Sequence, residues 1–184
     1  SYRSGIASLL SVADLSQGLT VWLTGLPSAG KTTLAHALEK RLLAAGYRVE
    51  VLDGDVVRTH LTRGLGFSRE DREENVRRIG FVAHLLSRNG VVAIASVISP
   101  YRAVRDELRE LHAGRFFEVH VATPVEVCSE RDVKGLYAKQ RAGELTGLTG
   151  VDDPYEPPVQ PEAVIHTESQ TLEESVEALW QALS

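Results

Sequence analysis

Apolar runs of strand length recur along the chain between longer stretches whose apolar residues are spaced as on one face of a helix. Val21–Thr24 is the first such run, Thr32–Ala45 the first helix, stopped by Gly46, and Tyr47–Leu52 the second strand, ending at Asp53-Gly54-Asp55. A short helix is expected over Asp55–Leu61. After the Gly64-Leu65-Gly66-Phe67 turn, Ser68 stands where a helix N-cap belongs, with Asp71 three residues on, and Asn89-Gly90 ends the long helix it opens. Val91-Val92-Ala93-Ile94-Ala95 is apolar throughout, as a strand buried on both faces requires. Tyr101–His112 then reads as a helix, Phe116–Val121 as a strand and Pro124–Asp132 as another helix. Lys134–Pro161 breaks the rhythm with Gly, Pro, Lys, Asp and Thr; it is long for a connector, so it is either a functional lid or a disordered loop. Ala163–Ile165 and Thr171–Leu183 supply a last strand and a last helix. Such alternation predicts a three-layer α/β/α fold around a central, mostly parallel five-stranded sheet. Residues 1–17 stand outside the rhythm as an extension or linker, in which Ile6, Leu9 and Leu10 have the spacing of one short helix.

Between the first strand and the first helix lies Gly25-Leu26-Pro27-Ser28-Ala29-Gly30-Lys31-Thr32, followed by Thr33. This is G-x-x-x-x-G-K-T, the P-loop pattern, in the strand–loop–helix context that gives the pattern its meaning. The glycines let successive backbone N–H groups face the β- and γ-phosphates at a helix N-terminus. Lys31 adds a mobile positive charge, and the Thr32 hydroxyl can ligate Mg²⁺. The sequence therefore predicts nucleoside triphosphate binding.

Composition narrows the partners. With 184 residues, 43% of them hydrophobic and 24% charged, the chain suits one well-buried domain, and no apolar run approaches a membrane span. A formal net charge of -5 argues against general binding to nucleic acid or an acidic membrane, since both are polyanions. The single Cys128 has no partner for a disulfide or a metal site, which fits a cytoplasmic protein, and it reads as a small core residue. The six histidines show no metal-binding spacing and are expected at the surface or half-buried. No signal peptide pattern is present, and a chain that starts at Ser1 without any methionine reads as processed, trimmed or part of a longer polypeptide.

In a doubly wound sheet ligands gather at the carboxyl ends of the strands, and several of these ends are polar here. Asp53 and Asp55 flank a glycine where a carboxylate either serves Mg²⁺-bound water or a substrate hydroxyl, or simply caps the next helix. The third strand runs into Ser96-Val97-Ile98-Ser99-Pro100-Tyr101-Arg102 and the fourth into Thr123-Pro124, leading to Arg131-Asp132. Arg72 and Asn75 share a helical face suited to an anion and a polar base or ribose edge. Glu73–Arg77 and Glu74–Arg78 have the i,i+4 spacing of surface ion pairs, which is the favoured reading of Arg77 and Arg78. Arg131, Lys134, Lys139 and Arg141 lie in or beside the lid region, placed to bring positive charge onto a transferring phosphoryl group.

Taken together, Gly25–Thr33, Leu52–Arg58, Leu65–Arg78, Ile98–Arg102, Glu130–Tyr137, Arg141–Glu144 and Thr149–Glu156 resemble the adenylyl-sulfate kinases (APS kinases), in order, over residues 18–184. The resemblance implies a P-loop NTPase fold with a lid at about 134–156. It also implies transfer of the γ-phosphoryl group of MgATP to the 3′-hydroxyl of adenosine 5′-phosphosulfate (APS), giving 3′-phosphoadenylyl sulfate (PAPS) and ADP in sulfate assimilation. By the same token Gly25, Leu26, Pro27, Ser28, Ala29, Gly30, Lys31, Thr32, Thr33, Arg131 and Gln170 would bind ATP, and Thr32 would ligate Mg²⁺. Asp55, Arg58, Phe67, Arg72, Asn75, Ile98, Ser99, Lys134, Gly147 and Leu148 would hold the acceptor. Lys31, Asp55, Ser99 and Lys134 would carry the chemistry, Ser99 matching a serine that the family assigns as a phosphorylated intermediate and serving mainly as a substrate contact. Leu148 stands where the family usually has the phenylalanine that stacks on the acceptor's adenine opposite Phe67, a loss on the order of 1 kcal/mol of stacking. The resemblance further implies a homodimer, and it allows residues 1–17 to be the linker to a fused sulfate adenylyltransferase. Other small-molecule P-loop kinases, acting on gluconate, shikimate or a nucleoside monophosphate, remain alternatives, as does a nucleotide-dependent switch or silent regulatory domain. No N-K-x-D string supports a GTPase switch.

Overall fold

The apolar runs become the sheet. The computed structural model describes residues 12–184, and its five strands are β1 (Leu19–Thr24), β2 (Val49–Asp53), β3 (Val92–Ser96), β4 (Phe116–Val121) and β5 (Ala163–Ile165). They pair in the order β2-β3-β1-β4-β5, and every neighbouring pair is parallel. β1 sits in the middle and is buried at every position, as is β3 beside it. A central parallel strand meets helices on both faces, which is why polar alternation is missing from both runs.

Among the described residues seven α-helices complete the layers: α1 (Lys31–Ala44), α2 (Gly54–His60), α3 (Arg69–Ser87), α4 (Arg102–His112), α5 (Val125–Arg131), α6 (Leu136–Arg141) and α7 (Leu172–Leu183). Two core clusters lie on opposite faces of the sheet. One gathers Val21, Leu23, Leu34, Leu38, Ile94, Val119, Leu179 and Leu183 from the strands, α1 and α7, and Cys128 lies in it, fully buried as a small core residue. The other packs Trp22, Val76, Ile79, Val104, Leu108 and Phe116 between the sheet, α3 and α4. Among the described residues no helix is long and apolar enough to cross a membrane.

The predicted cap at Ser68 forms, its Oγ accepting from the Asp71 N–H at 3.1 Å to start α3; Thr171 and Glu174 add a reciprocal capping box at α7. The surface pairs Arg77–Glu73 and Arg78–Glu74 form as their spacing requires, Arg77 adding Glu107 of α4.

Three expectations need correction. The segment before Gly18 is not all linker: Val12–Gln17 is a 3₁₀ helix, Leu15 is buried in the core, and Arg115 donates to the Gln17 carbonyl. The short helix expected around Ile6, Leu9 and Leu10 lies outside the described residues. The Lys134–Pro161 stretch is neither structureless nor loose, since it carries α6 and a turn in which the N–H groups of Val151, Asp152 and Asp153 all point to the Leu148 carbonyl. His112, expected near the surface, is buried under α3, with its ring between Thr20 Oγ1 at 2.9 Å and the Leu108 carbonyl at 2.7 Å.

Candidate functional site

All five strands end on one edge of the sheet, so the loops that follow them converge there. Between them opens a cleft of about 740 Å³, floored by the loop after β1 and walled by α2, α3, the loop after β3, the lid and the loop after β5.

Gly30 caps α1 with φ 100°, and no side chain caps that helix. Its first N–H groups are therefore left for an anion. Gly25 must lack a side chain, because a Cβ there would meet the Val121 carbonyl at 2.5 Å. Lys31 is almost buried, and its ammonium donates to the Gly25 and Leu26 carbonyls at 2.9 and 2.8 Å. Burial lowers its pKa to about 7, reinforced by Lys134, and the charges of Asp53 and Asp55 only partly oppose this. A triphosphate entering the loop offers Lys31 the negative charge that its surroundings withhold. Pro27, Ser28, Gly30, Lys31, Thr32 and Thr33 line the cleft. Gly25, Leu26 and Ala29 do not: they form the back of the loop, where the Ala29 carbonyl accepts from Thr123 and Thr167 and Leu26 packs on Gly150.

Asp53 takes the capping reading, and its second oxygen turns back to the phosphate loop. One oxygen accepts from the Asp55 N–H at 2.9 Å and caps α2, and the other accepts from Thr32 Oγ1 at 2.9 Å. Ser96 Oγ lies 3.2 Å from the same threonine hydroxyl. This cluster of hard oxygen donors joins the ends of β2 and β3 to the phosphate loop. Asp55, one residue into α2, faces Lys134 from the lid in an exposed ion pair across the mouth of the cleft.

The opposite wall of the cleft is built by α2, α3 and the loop after β3. Arg58 lies over the Phe67 ring, 4.6 Å from its centre, and donates to the Leu65 carbonyl. Asn75 is buried, and its Oδ1 finds no hydrogen-bond partner among the described residues. Arg72 instead holds the lid, donating to the Gly147 carbonyl at 2.5 Å and pairing with Asp153 at 2.9 Å. Arg72 and Asn75 thus share a helix face as expected, yet the fork of Arg72 is engaged with the lid. Ile98 and Ser99 line the same cleft. The Ser99 hydroxyl, however, accepts from Trp22 Nε1 at 3.0 Å and donates to the Val97 carbonyl at 3.2 Å, and the residue is buried. That hydroxyl is engaged as a structural corner.

Leu148 is also placed differently from expectation. It lines the cleft at one edge, but only 6% of it is exposed and most of the side chain belongs to the larger core cluster, whereas Phe67 is 68% exposed. Lys139 and Arg141 do not reach the cleft: Lys139 is exposed and Arg141 donates to Ser129. Arg131 does reach it, donating to Thr167 Oγ1 at 2.8 Å and to the Thr167 carbonyl at 3.1 Å, and Gln170 lines the same end. Sequence reasoning gave no role to Thr167 or Ser96. Both stand at carboxyl ends of strands, the signal that could have found them.

The lid is rooted at both ends. At its start Tyr137 donates to the Pro27 carbonyl at 2.9 Å and Ser28 Oγ accepts from the Val133 N–H at 3.1 Å. At its return Tyr155 OH meets Thr24 Oγ1 at 2.9 Å, and the Glu156 N–H donates to the Pro100 carbonyl at 2.8 Å. Burial pushes the Tyr155 phenol up to about 12, so it stays protonated as a hydrogen-bonding tether.

Comparison with known proteins agrees with this geometry. The sequence pattern of the adenylylsulphate kinase family matches residues 17–166. An adenylyl-sulfate kinase of Rippkaea orientalis is 64% identical over 91% of this chain and 92% of its own length. The solved structure of the Mycobacterium tuberculosis APS kinase in complex with AMPPNP and APS superposes with a TM-score of 0.87 at 42% identity, over 91% of this chain and 98% of that one. The hexameric APS kinase of Thiobacillus denitrificans is 38% identical with a TM-score of 0.70, over 92% of this chain and 29% of that longer one.

Proposed function

The chain belongs to the adenylylsulphate kinase family, and from that premise we propose how its residues divide the work of the reaction. The γ-phosphoryl group of ATP passes to the 3′-hydroxyl of APS, giving PAPS and ADP. The observation that carries the assignment is the convergence of Lys31, Thr32, Asp53, Asp55 and Lys134 on one cleft that runs from the phosphate loop to Phe67, Asn75 and Ile98.

ATP lies along the phosphate loop. Its phosphates face the N–H groups at the start of α1 and its base points toward Arg131, Thr167 and Gln170. Lys31 turns from the Gly25 and Leu26 carbonyls to the β- and γ-phosphates, gaining a full charge as it does so. The oxygen donors Thr32, Asp53 and Ser96 fit Mg²⁺, which prefers hard ligands and keeps several waters. Thr32 would hold it directly and Asp53 through its waters, the nucleotide's phosphates completing the site. When bound, the ion neutralises charge on the phosphoryl oxygens. The described residues contain no cluster of three or more His, Cys, Asp or Glu that would hold a metal without the nucleotide.

The acceptor lies against Phe67 and Arg58, with the free Asn75 Oδ1 and the lid-bound Arg72 beside it and Ile98 and Ser99 beneath. Asp55 orients the 3′-hydroxyl and receives its proton, while Lys134, released from Asp55, meets the negative charge spread over the transferring oxygens. Transfer is direct, and Ser99 carries no phosphoryl group on this pathway. Residues 18–184, with Val12–Gln17 packed on them through Leu15, form the kinase unit, with the lid at 134–156. The same family resemblance supports a cytoplasmic homodimer, with or without a sulfate adenylyltransferase linked through the segment before Val12.

ADP release measured with MgATP and APS, with gluconate, shikimate and AMP as parallel acceptors, tests the assignment. APS alone should support turnover, and Asp55→Ala should lower it by at least ~100-fold. Turnover with a different acceptor would move the substrate pocket, and near-normal activity of Asp55→Ala would remove the proposed base.

A further inference from the structure

Ser99 bends the floor of the acceptor pocket, with φ 44°, a left-handed conformation that residues with a side chain avoid. The bend lies between Ile98 and Pro100, which both face the cleft, so whatever holds it also sets the height of the floor. Its carbonyl is held by Thr24 Oγ1 at 3.3 Å and by one Nη of Arg105. Arg105 comes from the first turn of α4, is 1% exposed and lines no part of the cleft. Its second Nη donates to the Glu156 carbonyl, and its Nε donates to Glu118 of β4 at 3.2 Å. Glu156 is the residue by which the lid returns to the body, through its own N–H on Pro100 and its carboxylate on the Arg102 N–H at 2.8 Å. One planar guanidinium fork therefore joins the sheet, the strained corner under the acceptor and the returning stem of the lid.

We propose that Arg105 is a positioning residue for the acceptor nucleotide, fixing the Ser99 corner and the Glu156 stem in one register so that pocket floor and lid present a single preformed surface. The proposal rests on the assignment of this side of the cleft to APS. Lysine can satisfy Glu118 but lacks the rigid fork that reaches two carbonyls at once. Arg109 is the natural control, because it pairs with the same Glu118, and with Glu162, yet touches neither corner nor stem.

The experiment compares Arg105→Lys, Arg105→Met and Arg109→Lys in the full chain, varying APS at saturating MgATP and then the reverse, with a thermal melt of each protein. Arg105→Lys should raise KM for APS by ~10-fold or more, the scale on which small misplacements act, and leave KM for MgATP within about 2-fold. Arg109→Lys should leave both values unchanged. An unchanged KM for APS in Arg105→Lys, equal rises for both nucleotides, or the same effect in Arg109→Lys would each overturn the proposal. Should Arg105→Met not fold, Arg105→Lys carries the test; if that also fails to fold while Arg109→Lys folds, Arg105 is a stability residue and the proposal falls. Absence of APS-dependent turnover in the parent chain would instead sink the functional assignment on which it rests.

Discussion

Replacing Asp53 separates its two jobs. Its Oδ1 caps α2 and its Oδ2 meets Thr32, so Asp53→Asn keeps the capping oxygen and removes the charge, whereas Asp53→Ala removes both. The cap is worth about 1 kcal/mol, the usual loss when an N-cap Asp becomes Ala. In a domain of this size that corresponds to a fall in Tm of about 2–4 °C. Asp53→Asn should melt close to the parent protein, and only Asp53→Ala should show the fall. The loss of an oriented, charged group behind a metal ligand typically costs about 10–100-fold in metal affinity or activity. Both variants should therefore need more Mg²⁺ for half-maximal ADP release and should lose kcat/KM to a similar extent, although their stabilities differ. The assay is the APS-dependent rate over a Mg²⁺ titration at fixed ATP, with a melt on the same sample. A parent-like Mg²⁺ response in Asp53→Asn would refute the coupling of Asp53 to Thr32, and an activity loss that follows Tm across the two variants would make it a folding effect.

Further expectations follow from the same geometry. Because burial holds Lys31 near pKa 7 and a triphosphate would raise it, MgATP binding at pH 8 should take up close to one proton, seen by calorimetry in buffers of different ionisation enthalpy; no uptake would contradict it. Burial also lowers His112, assisted by His84 and opposed by its bond to the Leu108 carbonyl, and it lowers His120, assisted by Arg105 and His166. The unfolded chain then binds protons that the folded one refuses, so stability contributed by each ring is complete above its ordinary pKa of about 6.5 and is lost below it, by up to about 1.4 kcal/mol per pH unit. Glu118, raised by burial in spite of Arg105 and Arg109, works in the opposite sense, so the difference between the parent and His120→Gln is the quantity to measure in denaturant melts from pH 7 to 5.5. Identical pH slopes would refute the assignment for His120. Leu148→Phe should cost about 1–3 kcal/mol by overpacking the core cluster, and a tighter KM for APS without loss of stability would show that the added ring goes into the cleft.

What the sequence determined by itself was whatever depends on neighbours along the chain. The alternation of apolar runs and helical spacing located all five strands, β1 and β3 because burial on both faces leaves its mark on every residue of a short strand, and β4 and β5 fall at the predicted limits. The phosphate loop was legible because its geometry is made by consecutive backbone groups, and the cap at Ser68 because a cap acts over three residues. The tertiary structure decided what distant segments do to one another. It placed Asp53 against Thr32, 21 residues earlier, and Lys134 against Asp55, 79 residues earlier. It folded Leu148 into the core, engaged the Ser99 hydroxyl with Trp22, and buried His112 and Arg105 among partners that no local pattern announces. A side chain's type limits the bonds it can make, but which of them it makes depends on the competing donors and acceptors that the fold brings within 3 Å or so, and those come from elsewhere in the chain.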